Sequence, residues 1–369
     1  MSPALTAFLD LFGTLEALRA PHKVVHAVAE ILLGTLCGVM AGADGWEDME
    51  DSGESKIEGL RAWLPYPGGI PRDDTLRRFF RALHPERLRA LFVAVVRQRL
   101  PGTADSLSAL EGKTRRGSHD GASNARHLVS ALATEARRVL GQGATQEQSH
   151  AITALPDLLR MLDLRGATVS IDARGGQRAR APHIGEGGGQ YLLGRKGHQG
   201  TRHDDVQRFV EKPPEGTAFL AHEASDKGHG RLETRRCAVP SDSGWRQETH
   251  GGPALQSIVR ITATRRPGAK TSTETRFSLS SDAPEPAKIL TNTRSHWAIE
   301  HTLPSTLARS FGAEASRLRK DNAPLAIATL CPVALNLLLS AKQKRESMKR
   351  LRKKAGWDNH TLKRILRFS

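Results

Sequence analysis

"SLSALEGKTRRGS", residues 106–118, is where the patterning of the chain changes. Upstream, apolar residues recur at helical spacing; from here they come in short runs of strand length. The run "SLSALE" stops at Glu111, a glycine and then Lys113, Arg115 and Arg116, so Glu111 is either a working carboxylate at a strand end or an ordinary turn residue. "ARHLVSALA" (125–133) and "ARRVLGQ" (136–142) read as two more strands, "TALPDLLRMLDL" (153–164) as a helix and "GATVSIDA" (166–173) as a strand. The order strand, strand, strand, helix, strand predicts a mixed α/β core.

Working back from that stretch, the first hundred residues predict helices. Leu5, Phe8, Leu9 and Phe12 share one face, and "VVHAVAEILLGTLCGVMAGA" (24–43) is nearly long enough to span a bilayer. His26 and Glu30 lie inside it and would be costly at that depth, which favours a buried core helix. "PYPGGIPRDDT" (65–75) is a break, with Asp73 or Asp74 placed to cap "TLRRFFRAL", and Pro85 opens the next helix. Working forward, a helix is expected near 176–184, a strand at "QYLLGR" (190–195) and a helix at "HDDVQRFVEK" (203–212). Antiparallel strands follow over 217–281, inserted into the core, and then a second long apolar helix, "APLAIATLCPVALNLLLSAK".

The whole chain, 369 residues with a formal net charge of +16, fits a polyanion partner better than a small-molecule substrate. Residues 342–367 concentrate the charge, among them Lys349, Arg350, Arg352, Lys353 and Lys354, opposed only by Glu346 and Asp358. Such a run is a solvated face or a phosphate contact; the charge of the whole chain favours phosphate. Cys37, Cys237 and Cys331 are odd in number and widely spaced, which predicts a reducing cytoplasm, and no secretion signal is read at the N-terminus.

Asp172 ends an apolar strand and Glu300 follows Trp297 and Ile299 in a helical stretch; each read alone is a strand-end or surface acid. Taken together, acids at 111, 172 and 300 suit two-metal phosphoryl transfer, which needs carboxylates on separate rigid elements. Two Mg2+ ions are expected, with Mn2+ as a possible substitute, since Mg2+ favours oxygen ligands. "HIGEGGGQ" (183–190) lacks the lysine and hydroxyl of a phosphate loop and reads as a turn. His198, His203, His222, His229 and Cys237 match no recurring zinc spacing.

"SIDARGGQ" (170–177), "RKGHQGTRHDDV" (195–206), "DKGHGRLETRRC" (226–237) and "SHWAIEH" (295–301) resemble the ISAs-type, or H-repeat-associated, family of bacterial insertion-sequence transposases. The resemblance runs nearly end to end: "LLGTLCGVMAGADGWEDMEDSG", "WLPYPGGIPRDDTLRRFFRALHPE", "HLVSALATEARRVLGQ" and "KRLRKKAGWDNHTLKRIL" also carry it. It implies a ribonuclease-H-like α/β core with a DDE triad at Glu111, Asp172 and Glu300, which would hold the metal, and a β-rich insertion before the last acid. The implied organisation is a helical, DNA-end-recognising module over 1–100, a catalytic core over 105–216 and 282–340, the insertion over 217–281 and a basic tail over 341–369. The implied partners are transposon ends and target DNA, bound by a homodimer in the cytoplasm, at the nucleoid, with no membrane association. Lys113, Arg115, Arg116 and Lys196 are expected at phosphates beside the cleaved bond, as are Gln199 and Arg231 by resemblance.

The sequence departs from the family at the first acid, where the pattern is Asp-Gly-Lys and the chain has Glu111. After Glu300, Pro304 and Ser305 replace a His-Trp pair, and Ala308 replaces an aspartate. Pro304 is expected to kink the helix that presents Glu300, and Pro182 to interrupt the helix after Asp172. These departures predict an impaired or inactive transposase; the alternative is a catalytically dead DNA-binding relic or repressor that occupies transposon ends.

Overall fold

The computed structural model describes residues 25–99, 108–114, 127–134, 136–145, 151–171, 181–195, 207–213, 215–228, 231–241, 254–267, 271–311 and 322–366. Among the described residues four helices come first: α1 (Val28–Ala41), α2 (Trp46–Leu60), α3 (Asp73–Ala82) and α4 (Pro85–Arg99). α1 is apolar all round and is buried all round, as such a helix must be. Glu30 is tolerated inside it because backbone donors surround the carboxylate: Ala27 N–H at 3.2 Å and Tyr66 N–H at 2.7 Å. Gly42, at φ 108°, turns the chain out of the helix while its N–H caps the Gly38 carbonyl. Pro85 does open α4. Neither Asp73 nor Asp74 is the N-cap of α3, which is Arg72; Asp73 lies in the first turn and accepts from Arg77 at 2.6 Å.

Nine strands form one sheet. They are β1 (Ser108–Thr114), β2 (His127–Ala133), β3 (Arg138–Thr145), β4 (Thr168–Ile171), β5 (Gln190–Arg195), β6 (Phe219–Gly228), β7 (Arg231–Pro240), β8 (Ser257–Pro267) and β9 (Ser272–Ser280), in the order β3-β2-β1-β4-β5-β9-β8-β7-β6. β1 to β3 form an antiparallel meander, and β4 and β5 then add parallel to β1. The helices α5 (Ala151–Met161) and α6 (Ala181–Glu186) make the crossings that parallel pairing requires. α5 lies so close on β3 that a Cβ at Gly141 would meet Leu158 at 2.7 Å. The segment expected as an insertion continues the same sheet, because β9 pairs antiparallel with β5 through Leu193↔Leu279 and its neighbours.

Pro182 lies within α6 as described, Ala181–Glu186; the residues between Asp172 and Ala181, where it was expected to interrupt a helix, lie outside the described residues. The glycines of 187–189 close α6 by backbone bonds, and Leu164 packs where side chains at Gly187 and Gly189 would stand. The turn read over 183–190 is confined to the glycines: His183–Glu186 belong to α6 and Gln190 opens β5.

Four helices complete the chain: α7 (Pro286–Phe311), α8 (Ala323–Ala341), α9 (Met348–Trp357) and α10 (Asn359–Leu366). α8 is long and apolar enough to cross a membrane by length and composition, yet most of it is buried against α1, α4 and β3. Residues 341–369, expected as a tail, instead bring Leu351, Ala355, Leu362, Ile365 and Leu366 into the main core. That core runs without a break from α1 through the sheet to α10. A smaller one lies between α7 (Ile289, Leu290) and Cys237, Val239, Val259 and Ile261 of the extended sheet.

Candidate active site

β1 and β4 run parallel, with Ala109 opposite Ser170 and Leu110 opposite Ile171. The next residue in the chain after Leu110 is Glu111, and the next after Ile171 is Asp172. The first two acids therefore follow register partners on adjacent central strands. Position 111 lies within β1, not at its end or in a turn as the sequence suggested, because the pairing with β2 continues past it to Thr114; it is paired with Ser130 of β2, whose buried hydroxyl accepts from Gln142 of β3 at 3.0 Å. This is a polar row in an otherwise apolar part of the sheet.

α7 crosses β1 and β4 and is fastened to β4 in two places. At its start, the buried Asp282 accepts from Thr168 of β4 at 3.2 Å and from Lys288 of the helix at 2.9 Å. Further along, His296 Nδ1 and Ser170 Oγ are 2.8 Å apart, with both side chains buried. Glu300 lies one turn beyond His296 on the same helical row. Between them, Trp297 carries Arg276 at 4.6 Å and Arg235 at 6.0 Å on its ring, and Arg294 pairs with Asp226, so the same stretch of α7 is held to the extended sheet. α7 remains helical through position 304 to Phe311, so Pro304 does not end it. Its lost N–H does leave the Glu300 carbonyl without the usual donor.

Asp172, Arg115, Arg116, Lys196 and Gln199 lie outside the described residues, as do the side chains of Glu111, Lys113, Arg231 and Glu300. What the fold contributes is the convergence of β1, the end of β4 and α7. Ser170 and His296 were not singled out from the sequence, although they stand two and four residues before Asp172 and Glu300 in the chain.

The five basic residues expected on DNA from α9 fall into two groups. Lys349, Arg350 and Lys353 are exposed. Arg352 and Lys354 are tied to the protein: Arg352 turns inward and donates to the Val39 carbonyl at 2.7 Å with its guanidinium 4.3 Å from the Phe311 ring centre, and the partly exposed Lys354 donates to Glu346 at 2.9 Å. Burial pulls the Arg352 guanidinium below its ordinary value. Their physical reason is amphipathicity: the turn of α9 that buries Leu351 and Ala355 carries its neighbours against α1 and α7. Cys237 is wholly buried, and burial pushes its thiol up to about 12.

The sequence model of the family "Transposase DDE domain" matches residues 96–337, and that of the "DDE_Tnp_1-associated" region matches residues 9–96. The chain is 33% identical to the "Putative transposase YncI" of Escherichia coli O157:H7, covering 98% of this chain and 95% of that one. It is 32% identical to the "H repeat-associated putative transposase YhhI" of Escherichia coli (strain K12), covering 98% of both. An "Uncharacterized protein in dhlA 3'region" of Xanthobacter autotrophicus is 39% identical over 78% of this chain and 97% of its own length. The parallel β1–β4 pair, the helix laid across it and matches that span the chain have one reading: it belongs to the H-repeat-associated, ISAs-type family of insertion-sequence DDE transposases.

Proposed function

We propose that the chain is built to cut and join DNA at the ends of an insertion element, with Glu111, Asp172 and Glu300 as its triad on a ribonuclease-H-like core. The observation that supports this reading is the parallel register Leu110↔Ile171 beside α7, because the residue after each partner in the chain is an acid. The sheet order β3-β2-β1-β4-β5 with crossings through helices supports the ribonuclease-H-like description, and β6 to β9 form the β-rich segment before the last acid.

Three carboxylates on three separate rigid elements form an oxygen donor set, which fits Mg2+, or Mn2+ in its place. Glu111, Asp172 and Glu300 would hold two such ions, which when bound would supply charge stabilisation for an in-line displacement at phosphorus. The carboxylates fix the place of that charge; Lys113, Arg115, Arg116 and Lys196 lie close in sequence to β1 and β5 and orient the phosphodiester. Water is the nucleophile for cutting, and the freed 3′ hydroxyl is the nucleophile for joining. Gln199, Arg231 and the exposed Lys349, Arg350 and Lys353 extend the contact along the duplex, bound by a homodimer. The place of action is DNA in the cytoplasm, at the nucleoid.

Activity is impaired in this reading. Glutamate at position 111 moves the carboxylate by about 1.5 Å relative to aspartate, and an error of about 1 Å can cost about a hundredfold. The test is strand nicking of a duplex carrying the flanking repeats, with Mg2+ or Mn2+, comparing the chain with Glu111→Asp and with Asp172→Ala. Cutting by the unmodified chain but not by Asp172→Ala overturns the impairment. Cutting by Glu111→Asp alone supports it. End-specific binding with no cutting by either leaves the DNA-occupying repressor as the correct reading.

A further inference from the structure

We infer that His296 is a positioning residue: through its hydrogen bond to Ser170 it sets the separation of Asp172 and Glu300. This rests on the proposed triad. The bond is 2.8 Å, joins two buried side chains and links β4 to α7. Ser170 of β4 stands two residues before Asp172 in the chain, and His296 one turn before Glu300 on the helix. The covalent path from Asp172 to Glu300 otherwise passes through β5, the whole extended sheet and the first half of α7. The hydrogen bond is thus a direct strut across a long loop of chain.

A strut with a single contact would still let α7 roll about its axis. The next residue prevents that: Trp297 lies against Arg276 and Arg235 of the extended sheet. The pair His296–Trp297 therefore fixes both the distance of α7 from β4 and its rotation, immediately before the turn that carries Glu300. The buried Asp282 bridge between Thr168 and Lys288 anchors the start of the helix but lies several turns from Glu300. Burial of an amphipathic helix alone does not need a polar pair at this point; two apolar side chains would pack there as well.

The test measures Mn2+ binding by the full-length chain, followed by the paramagnetic resonance of the free ion, with the thermal midpoint recorded for each variant. Ser170→Ala and His296→Leu each remove the bond; His296→Asn keeps an amide group near Nδ1 that can renew it; Asp172→Ala removes a ligand. The expected result is Mn2+ affinity about tenfold weaker in Ser170→Ala and His296→Leu, the scale typical of groups that orient ligands, with recovery in His296→Asn and loss in Asp172→Ala. If His296→Leu does not fold, Ser170→Ala, which deletes only one oxygen, decides the matter. Wild-type Mn2+ affinity in folded Ser170→Ala, with binding lost in Asp172→Ala, overturns the positioning role alone. Equal binding by the wild type and Asp172→Ala overturns the triad and this inference with it.

Discussion

Leu110 of β1 and Ile171 of β4 are register partners in a parallel pair, and the residue after each is an acid. Parallel pairing brings Leu110 and Ile171, far apart in sequence, side by side, each one residue before an acid in the chain. Strand pairing itself uses only backbone groups and places no demand for an acid at either position.

The first prediction follows from that pairing. Glu111→Asp restores the shorter side chain on a strand whose backbone is held on both sides, by β2 and β4. Metal-dependent nicking of an end-bearing duplex should rise by about a hundredfold, the scale of a misplacement of about 1 Å. The thermal midpoint should stay nearly unchanged. An unaltered nicking rate in Glu111→Asp would show that the extra methylene is tolerated.

A second prediction separates the basic residues of α9 by what they touch. Arg352→Ala deletes a buried donor to the Val39 carbonyl and the packing on Phe311, and should cost about 1–3 kcal/mol of stability. Lys349→Ala, Arg350→Ala and Lys353→Ala combined should leave the midpoint almost unmoved, since all three are exposed. DNA binding by that triple variant should show a shallower dependence on salt, by about 0.9 in log–log slope for each phosphate that is no longer neutralised. An unchanged slope would take α9 off the DNA.

Much of this fold was legible because its strands are short apolar runs bounded by breaks. "QYLLGR" is β5 to the residue, and the runs over 217–281 became β6 to β9. Their place in the sheet was not legible: nothing local in "TETRFSLSS" says that β9 pairs with β5, because pairing between remote strands is decided by burial and register. The side chain of Asn336 in α8 closes the outer edge of β3, accepting from Val139 N–H at 2.9 Å and donating to its carbonyl at 2.8 Å, and one asparagine in an apolar helix gives no hint of such a partner. The site was half legible. Charge and resemblance pointed to the acids, whereas the Ser170–His296 bond depends on which face of α7 meets β4. The ties of Arg352 and Lys354 to the protein were hidden in a charge run that reads as uniformly solvated.

Thiol chemistry gives a third prediction. Cys37, Cys237 and Cys331 are all buried, and burial pushes the thiols of Cys37 and Cys237 up to about 12. A disulfide-exchange reagent at pH 8 should modify none of the three in the native chain and all three once it is unfolded. Rapid reaction of even one native thiol would contradict the packing of α1, α8 or β7.

The last prediction concerns acid. Glu346, nearly enclosed between α8 and α9, accepts from Lys354 at 2.9 Å and lies 3.8 Å from Arg364. The Lys354 hydrogen bond, more than the charges around it, holds the Glu346 carboxyl below its ordinary value. A carboxyl whose value is lower folded than unfolded binds fewer protons in the folded state. Its contribution is therefore complete above the unfolded value, about 4.3, and is lost as the pH falls through the folded one. Thermal midpoints of the wild type and Glu346→Gln, compared from pH 6 downward, should differ most at pH 6, with the wild type higher. The gap should begin to close below about pH 4.3 and vanish in stronger acid, where both side chains are neutral. A gap that holds constant through that range would mean that shape, not the ionised pair with Lys354, is what Glu346 contributes to the joint between α8 and α9.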